Sequence, residues 1–242
     1  MALRALIFDV DGTLADTEEL HRQAFNAAFA QHGLPWHWGR RTYAGLLKVA
    51  GGKERIAHFI ALTEQRASQK KRLAAMTGAI HASKTEAYLS LLRQRLPLRP
   101  GIAALLAQAR EADIRLAVAT TTTPANVACL IESALGPHAF GWFDAIAAGD
   151  EVAAKKPAPD VYRLVLERLR LHPRDCLAFE DSANGLVAAK SAGLCTVVAP
   201  TYWTVRDDLT RADLLVSEFS DARGLDKLRA FHSDWVAQRV AA

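Results

Sequence analysis

The chain has 242 residues, half of them hydrophobic and 23% charged, with 30 basic against 26 acidic side chains and a net charge of +4. That length and balance suit one large globular domain or a domain carrying an insertion, and they exclude a disordered chain. No run nears the ~20 apolar residues of a membrane span, Met1 to Phe8 is too short an apolar stretch for a secretory signal, and the basic residues form no block suited to nucleic acid or anionic lipid.

The first predicted strand is Leu3 to Phe8, an apolar run without polar alternation, as expected of a strand buried on both faces. From about Glu18 to Arg95 only helical patterns follow: Leu20 to Gln31 with Gly33 as a stop, Lys53 to Leu62, and Gln69 to Leu92. That stretch is too long for a crossover helix and reads as an inserted helical domain. Leu96 to Gly101, with two prolines and a glycine, reads as the return linker. Beyond it, helices Ile102–Ala112, Pro124–Leu135, Pro159–Leu171 and Gly185–Ala192 alternate with strands Ile114–Ala119, Ala145–Ala148, Leu177–Phe179 and Thr196–Ala199. A weaker strand is Leu214–Val216. Such alternation argues for an α/β fold, a doubly wound, Rossmann-like parallel sheet. The expected organisation is a core of residues 1–16 and 96–242 with an α-helical insertion at 17–95. Cys129, Cys176 and Cys195 are odd in number and far apart, which fits buried thiols in a reduced, cytoplasmic protein. A monomer is the expectation.

Chemistry concentrates at predicted strand ends, where ligands of open α/β sheets bind. Asp9 and Asp11 follow the first strand two residues apart, so in extended backbone they share a side. Two adjacent carboxylates in a low-dielectric cleft are tolerated when a cation lies between them or when one is protonated. A hard ion such as Mg²⁺ suits the first case; the plain alternative is an Asp-Gly turn closing the strand. Thr120 ends the second strand, and Thr121 and Thr122 lead into the helix at Pro124. Such hydroxyls and free N–H groups hold phosphate oxygens, or simply cap the helix. Lys156, between Lys155 and Pro157, offers a charge to a phosphoryl group or lies solvated in its loop. Glu180 and Asp181 end the fourth strand and suit a metal site beside Asp9 and Asp11.

These four motifs, in this order, closely resemble the haloacid dehalogenase superfamily of aspartyl phosphotransferases. The resemblance spans the chain, and the helical insertion falls where that superfamily places its small cap domain. It implies an enzyme in which Asp9 attacks phosphorus and Asp11 acts as general acid and then base. Thr120 and Lys156 would hold the transferring phosphoryl group. Mg²⁺ would be bound by Asp9, the backbone carbonyl of Asp11 and Asp181, with Glu180 close by. An acid at Asp11 points to phosphoryl transfer, since the superfamily's dehalogenases lack one there.

In the cap, Glu18, His21, Gly52, Lys53 and Arg55 are the candidate substrate contacts, with Thr121 from the core. Lys53 and Arg55 suit a second phosphate that Gly51 and Gly52 let approach the backbone; the plain reading is a loop and a charged first helical turn. Glu18 and His21 suit sugar hydroxyls, or His21 covers the cap face. The runs Ala15 to His21, Gly51 to Ile56, Ala119 to Thr122 and Ala147 to Asp150 further resemble the CbbY proteins. Those are Mg²⁺-dependent phosphatases of xylulose 1,5-bisphosphate, an inhibitor of Rubisco, so the implied partner is a small phosphorylated sugar. Glu64 to Ala82 matches no feature of that family. The alternatives are a β-phosphoglucomutase, a broader sugar-phosphate or phosphoglycolate phosphatase, and a phosphate-accepting receiver domain. The receiver domain would need neither the insertion nor Asp11.

Overall fold

The computed structural model describes residues 3–93 and 96–240. The chain divides into two compact units, Met1–Asp16 with Leu96–Ala242 and Thr17–Arg95. The first unit is a six-stranded sheet of β1 (Ala5–Phe8), β2 (Arg115–Ala119), β3 (Ala145–Ala147), β4 (Cys176–Glu180), β5 (Cys195–Val198) and β6 (Leu214–Leu215). Its strand order is β3-β2-β1-β4-β5-β6 and every pairing is parallel. All six expected strands are present. The central strands are buried along their whole length, which is why they read as unbroken apolar runs. Phe8 and Phe179 pair in register and stack at 4.6 Å between ring centroids.

Helices α5 (Ile102–Glu111), α6 (Pro124–Leu135), α7 (Asp160–Leu169) and α8 (Ala183–Ser191) match the expected ones to within two residues at each end. The sequence reading placed no element at α9 (Leu225–Val240). Its buried residues Leu225, Leu228, His232, Trp235 and Val236 do follow helical spacing. One of the five is a histidine, and charged residues crowd between them, which dilutes the pattern. Asp213 docks this helix. It accepts from Trp235 Nε1 at 2.8 Å, Lys190 Nζ of α8 at 2.5 Å and the Thr196 amide of β5 at 2.9 Å, with Arg239 at 3.6 Å.

The second unit is helical: α1 (Glu18–Gln31), α2 (Arg40–Leu46), α3 (Gly52–Thr63) and α4 (Ala67–Leu92). The short α2 is a further addition to the expected helices. Helices α1 and α3 pack on α4. Rings of Phe25, Phe29, Trp36, Trp38, Tyr43 and Phe59 form their shared core. Among the described residues no helix is long and apolar enough to cross a membrane.

Replacing Asp213 with Ala strands the Lys190 charge and the Trp235 indole N–H at once. We expect a loss of about 2 kcal/mol of stability, since the carboxylate is largely but not fully buried. Urea unfolding would measure it, and hydrogen exchange should place the loosening in α9.

Candidate active site

In the sheet, β2 and β3 lie on one side of β1 while β4 to β6 lie on the other. The order therefore reverses beside β1, which opens the crevice at the carboxyl ends of the strands. Asp9 follows β1 and is pinned by its amide to the Phe179 carbonyl at 3.0 Å. Register places Glu180, the last residue of β4, opposite it. Thr120 follows β2 directly, its amide donating to the Ala147 carbonyl at 3.0 Å.

Lys156 lies between the two acids. Its Nζ donates to Asp9 Oδ1 at 2.7 Å and to Glu180 Oε1 at 2.6 Å, with all three side chains buried. Tyr162, from the first turn of α7, donates its hydroxyl to the same Glu180 oxygen at 2.5 Å. Asp181 is buried beside them and accepts from Thr204 Oγ1 at 3.4 Å. Carboxylate oxygens of Asp9, Glu180 and Asp181 lie within 4.8 Å of one another. Asp11 is half-buried in the turn after Asp9, and its carboxylate is not part of that trio.

Two glycines make room for these acids. Gly12 has φ +83°, and a Cβ there would strike the Asp181 carboxylate. A Cβ on Gly185, in the first turn of α8, would strike the Glu180 carboxyl group. Ser182 caps α8 by accepting from the Gly185 amide at 3.3 Å.

Thr120 Oγ1 is buried and accepts from the Thr122 amide at 3.2 Å. Thr122 Oγ1 accepts from Asn126 Nδ2, and Thr123 caps α6. Thr121 is half-buried in the turn between them. The hydroxyl-rich turn thus both caps a helix and brings Thr120 to the strand ends.

The electrostatics follow from burial. The Asp9 carboxyl is raised to about 7, chiefly by burial; Lys156 pulls the other way, and the charges of Glu180 and Asp11 add to the rise. For Lys156 burial opposes the charge, yet the attraction of Asp9 and Glu180 outweighs it and holds the ammonium well above its ordinary value. Burial first, and then Glu180, drive the Tyr162 hydroxyl upward. Three buried carboxylates face one buried ammonium. In the absence of a further cation a proton on Asp9 partly takes its place. An all-oxygen set with surplus negative charge fits a hard divalent ion such as Mg²⁺.

In the helical unit, Glu18 Oε2 accepts from Tyr43 Oη at 2.6 Å, and Tyr43 Oη accepts from Arg55 Nη1 at 3.0 Å. The Arg55 guanidinium is buried over the rings of Tyr43 and Phe25, and its Nε meets no hydrogen-bond partner among the described residues. His21 stacks on Tyr88 and its Nδ1 lies 2.6 Å from Lys84 Nζ. Gly52 lies against His81, while Lys53 is exposed. The sequence reading missed Tyr43, His81, Lys84, Tyr88 and, in the core, Tyr162. His81, Lys84 and Tyr88 are spaced three and four apart on α4, a stripe that could have been noticed. The partners of Tyr43 and Tyr162 exist only after folding.

The haloacid dehalogenase-like hydrolase family matches residues 3–193. The chain belongs to that family. It is 52% identical over 220 residues to the plasmid-encoded protein CbbY of Cupriavidus necator, covering 90% of this chain and 87% of that one. It is also 49% identical over 225 residues to CbbY of Cereibacter sphaeroides, with 92% and 95% covered. The solved structure of CbbY from Rhodobacter sphaeroides in complex with phosphate has a TM-score of 0.86 at 47% identity, covering 94% of this chain and 99% of that one. An Asp-to-Asn variant of that protein was solved in complex with xylulose 1,5-bisphosphate, with the same similarity. The chain is thus an enzyme, a phosphatase similar to CbbY.

Alanine at Gly185 should drive Glu180 away from Lys156. A crystal structure of the variant is expected to show that ion pair broken, and phosphatase activity should fall roughly 10- to 100-fold, the scale of losing a contact that orients a site carboxylate.

Proposed function

We propose that the chain is a Mg²⁺-dependent sugar bisphosphate phosphatase that removes a phosphate from xylulose 1,5-bisphosphate through an aspartyl-phosphate. The observation that carries this is the buried Asp9–Lys156–Glu180–Asp181 cluster at the switch point of the sheet, in a chain 47% identical to a protein solved with that sugar bisphosphate. In this reading the chain is a cytoplasmic monomer, and its hydrolysis of the sugar bisphosphate removes an inhibitor of Rubisco.

Asp9, Asp181 and the Asp11 carbonyl would hold Mg²⁺, with Glu180 beside them. The ion supplies positive charge that lets the Asp9 carboxylate and a phosphate approach each other. Asp9 donates an oxygen lone pair to phosphorus as the bond to the sugar oxygen breaks. Asp11 protonates the departing alkoxide, then takes a proton from the water that opens the aspartyl-phosphate. Lys156, held by Glu180, and the Thr120 hydroxyl steady the phosphoryl oxygens. Tyr162 keeps the Glu180 oxygen oriented toward Lys156. In the cap, the N-terminal turn of α3 with Gly52, Lys53 and Arg55 offers donors to a second phosphate, and Glu18 and His21 offer polar groups to sugar hydroxyls; in the core, Thr121 is the further candidate substrate contact.

The direct test is phosphate release, with and without Mg²⁺, from xylulose 1,5-bisphosphate against ribulose 1,5-bisphosphate, glucose 1-phosphate and phosphoglycolate. Metal-dependent preference for the xylulose compound is expected. Lack of preference would remove the substrate assignment and leave the phosphatase. Asp9→Asn should abolish turnover, and Asp11→Asn should lower it by about 10²- to 10⁴-fold, the usual worth of a general acid.

The proton on Asp9 competes with the metal. Because the carboxyl is raised to about 7 in the metal-free chain, Mg²⁺ binding displaces a proton below that pH. Titration calorimetry from pH 5.5 to 8.5 should show affinity rising by up to about tenfold per pH unit below 7 and levelling off above it.

A further inference from the structure

Arg99 lies in the return linker and is buried, yet neither the motifs nor the proposed reaction uses it. Its Nη1 donates to the Gly12 carbonyl at 2.6 Å and to the Ala199 carbonyl at 2.6 Å. Nη2 donates to the Pro200 carbonyl at 3.2 Å and pairs with Glu218 at 2.9 Å, and Nε reaches the same carboxylate at 3.2 Å. The guanidinium lies over the Phe219 ring, 5.0 Å from its centroid. The Arg99 amide donates to the Leu14 carbonyl at 2.8 Å. One side chain therefore joins the turn after β1, the end of β5 and the turn at Glu218.

Burying this much donor capacity is costly unless each N–H is matched, and here the matches are carbonyls in the turns after β1 and β5 and the carboxylate of Glu218. The carbonyl of Gly12 matters most. Gly12 has φ +83°, and its α-carbon fits so tightly against the Asp181 carboxylate that even a methyl group would collide. It also follows Asp11 directly. A shift of the Gly12 peptide would move the Asp11 carbonyl and side chain and open space for Asp181 to turn.

We infer that Arg99 is a positioning residue of the phosphatase site: by holding the Gly12 carbonyl, which belongs to the Gly12–Thr13 peptide, it fixes the Gly12 backbone next to Asp11 and, through the Gly12 α-carbon, the Asp181 carboxylate. This rests on the proposed assignment of Asp11 and Asp181. Lysine cannot replace it fully, because one ammonium cannot reach carbonyls on both strands with fork geometry.

The test compares Arg99→Met, Arg99→Lys and Glu218→Gln for kcat, KM, melting temperature and Mg²⁺ affinity of the metal-free protein by calorimetry. In Arg99→Met, kcat and Mg²⁺ affinity should each fall about 10- to 100-fold with KM nearly unchanged. Arg99→Lys should recover part of both losses. Glu218→Gln should lower the melting temperature without moving kcat or metal affinity, because Glu218 touches Arg99 but no group of the site. A folded Arg99→Met protein with wild-type kcat and Mg²⁺ affinity overturns the inference. Should that variant not fold, Arg99→Lys decides in the same way: weakened Mg²⁺ binding supports the role and wild-type binding refutes it. If the unmutated enzyme releases phosphate without Mg²⁺, the proposed chemistry fails instead, and the calorimetric comparison still reports whether Arg99 sets the geometry of Asp181.

Discussion

Lys156 is the group on which the site depends. Asp9, Glu180 and Asp181 are brought within 4.8 Å of one another by strand register, in a place with little access to water. Like charges so close and so buried would repel strongly. The ammonium of Lys156 touches two of the three carboxylates and is the buried cation that offsets them. Glu180 is also held by Tyr162, and its second oxygen accepts from the Asp181 amide, so the acceptor that Lys156 meets is itself fixed from two sides. The surplus of negative charge that remains is what makes the cluster receptive to a cation.

The surroundings enforce this arrangement sterically. Gly12 lies against Asp181 and Gly185 against Glu180, so closely that a methyl group at either glycine would strike the carboxylate. Thr204 reaches Asp181 from the loop after β5, and Arg99 ties that same strand end to the Asp11–Gly12 turn. Such support keeps reacting groups within a fraction of an ångström of their working positions.

The sheet was legible because buried parallel strands are written as plain apolar runs, and a polar residue that ends such a run stands out. Asp9, Thr120 and Glu180–Asp181 each announced themselves that way, and the structure brings Asp9, Lys156, Glu180 and Asp181 together. Helices α2 and α9 were not legible: one is seven residues long, and the other buries a histidine among its apolar residues. Tyr162 and Arg99 look like any tyrosine on an amphipathic helix or any arginine in a linker. Their meaning comes from partners distant in sequence, and no local pattern carries it. The cap motif at Gly51 to Arg55 was seen as a phosphate-type loop, but the ring stacking that buries Arg55 was not.

The strand order has a consequence for how the molecule is made. Ala5 of β1 pairs with Cys176 of β4, so the first strand waits for most of the chain before its second neighbour exists. Contacts of such long range form late. On a ribosome Asp9 emerges first, Lys156 next and the Glu180–Asp181 pair last. The positive charge is thus in place before the second and third negative ones arrive, and the growing chain never has to hold the full cluster of acids without its counterion.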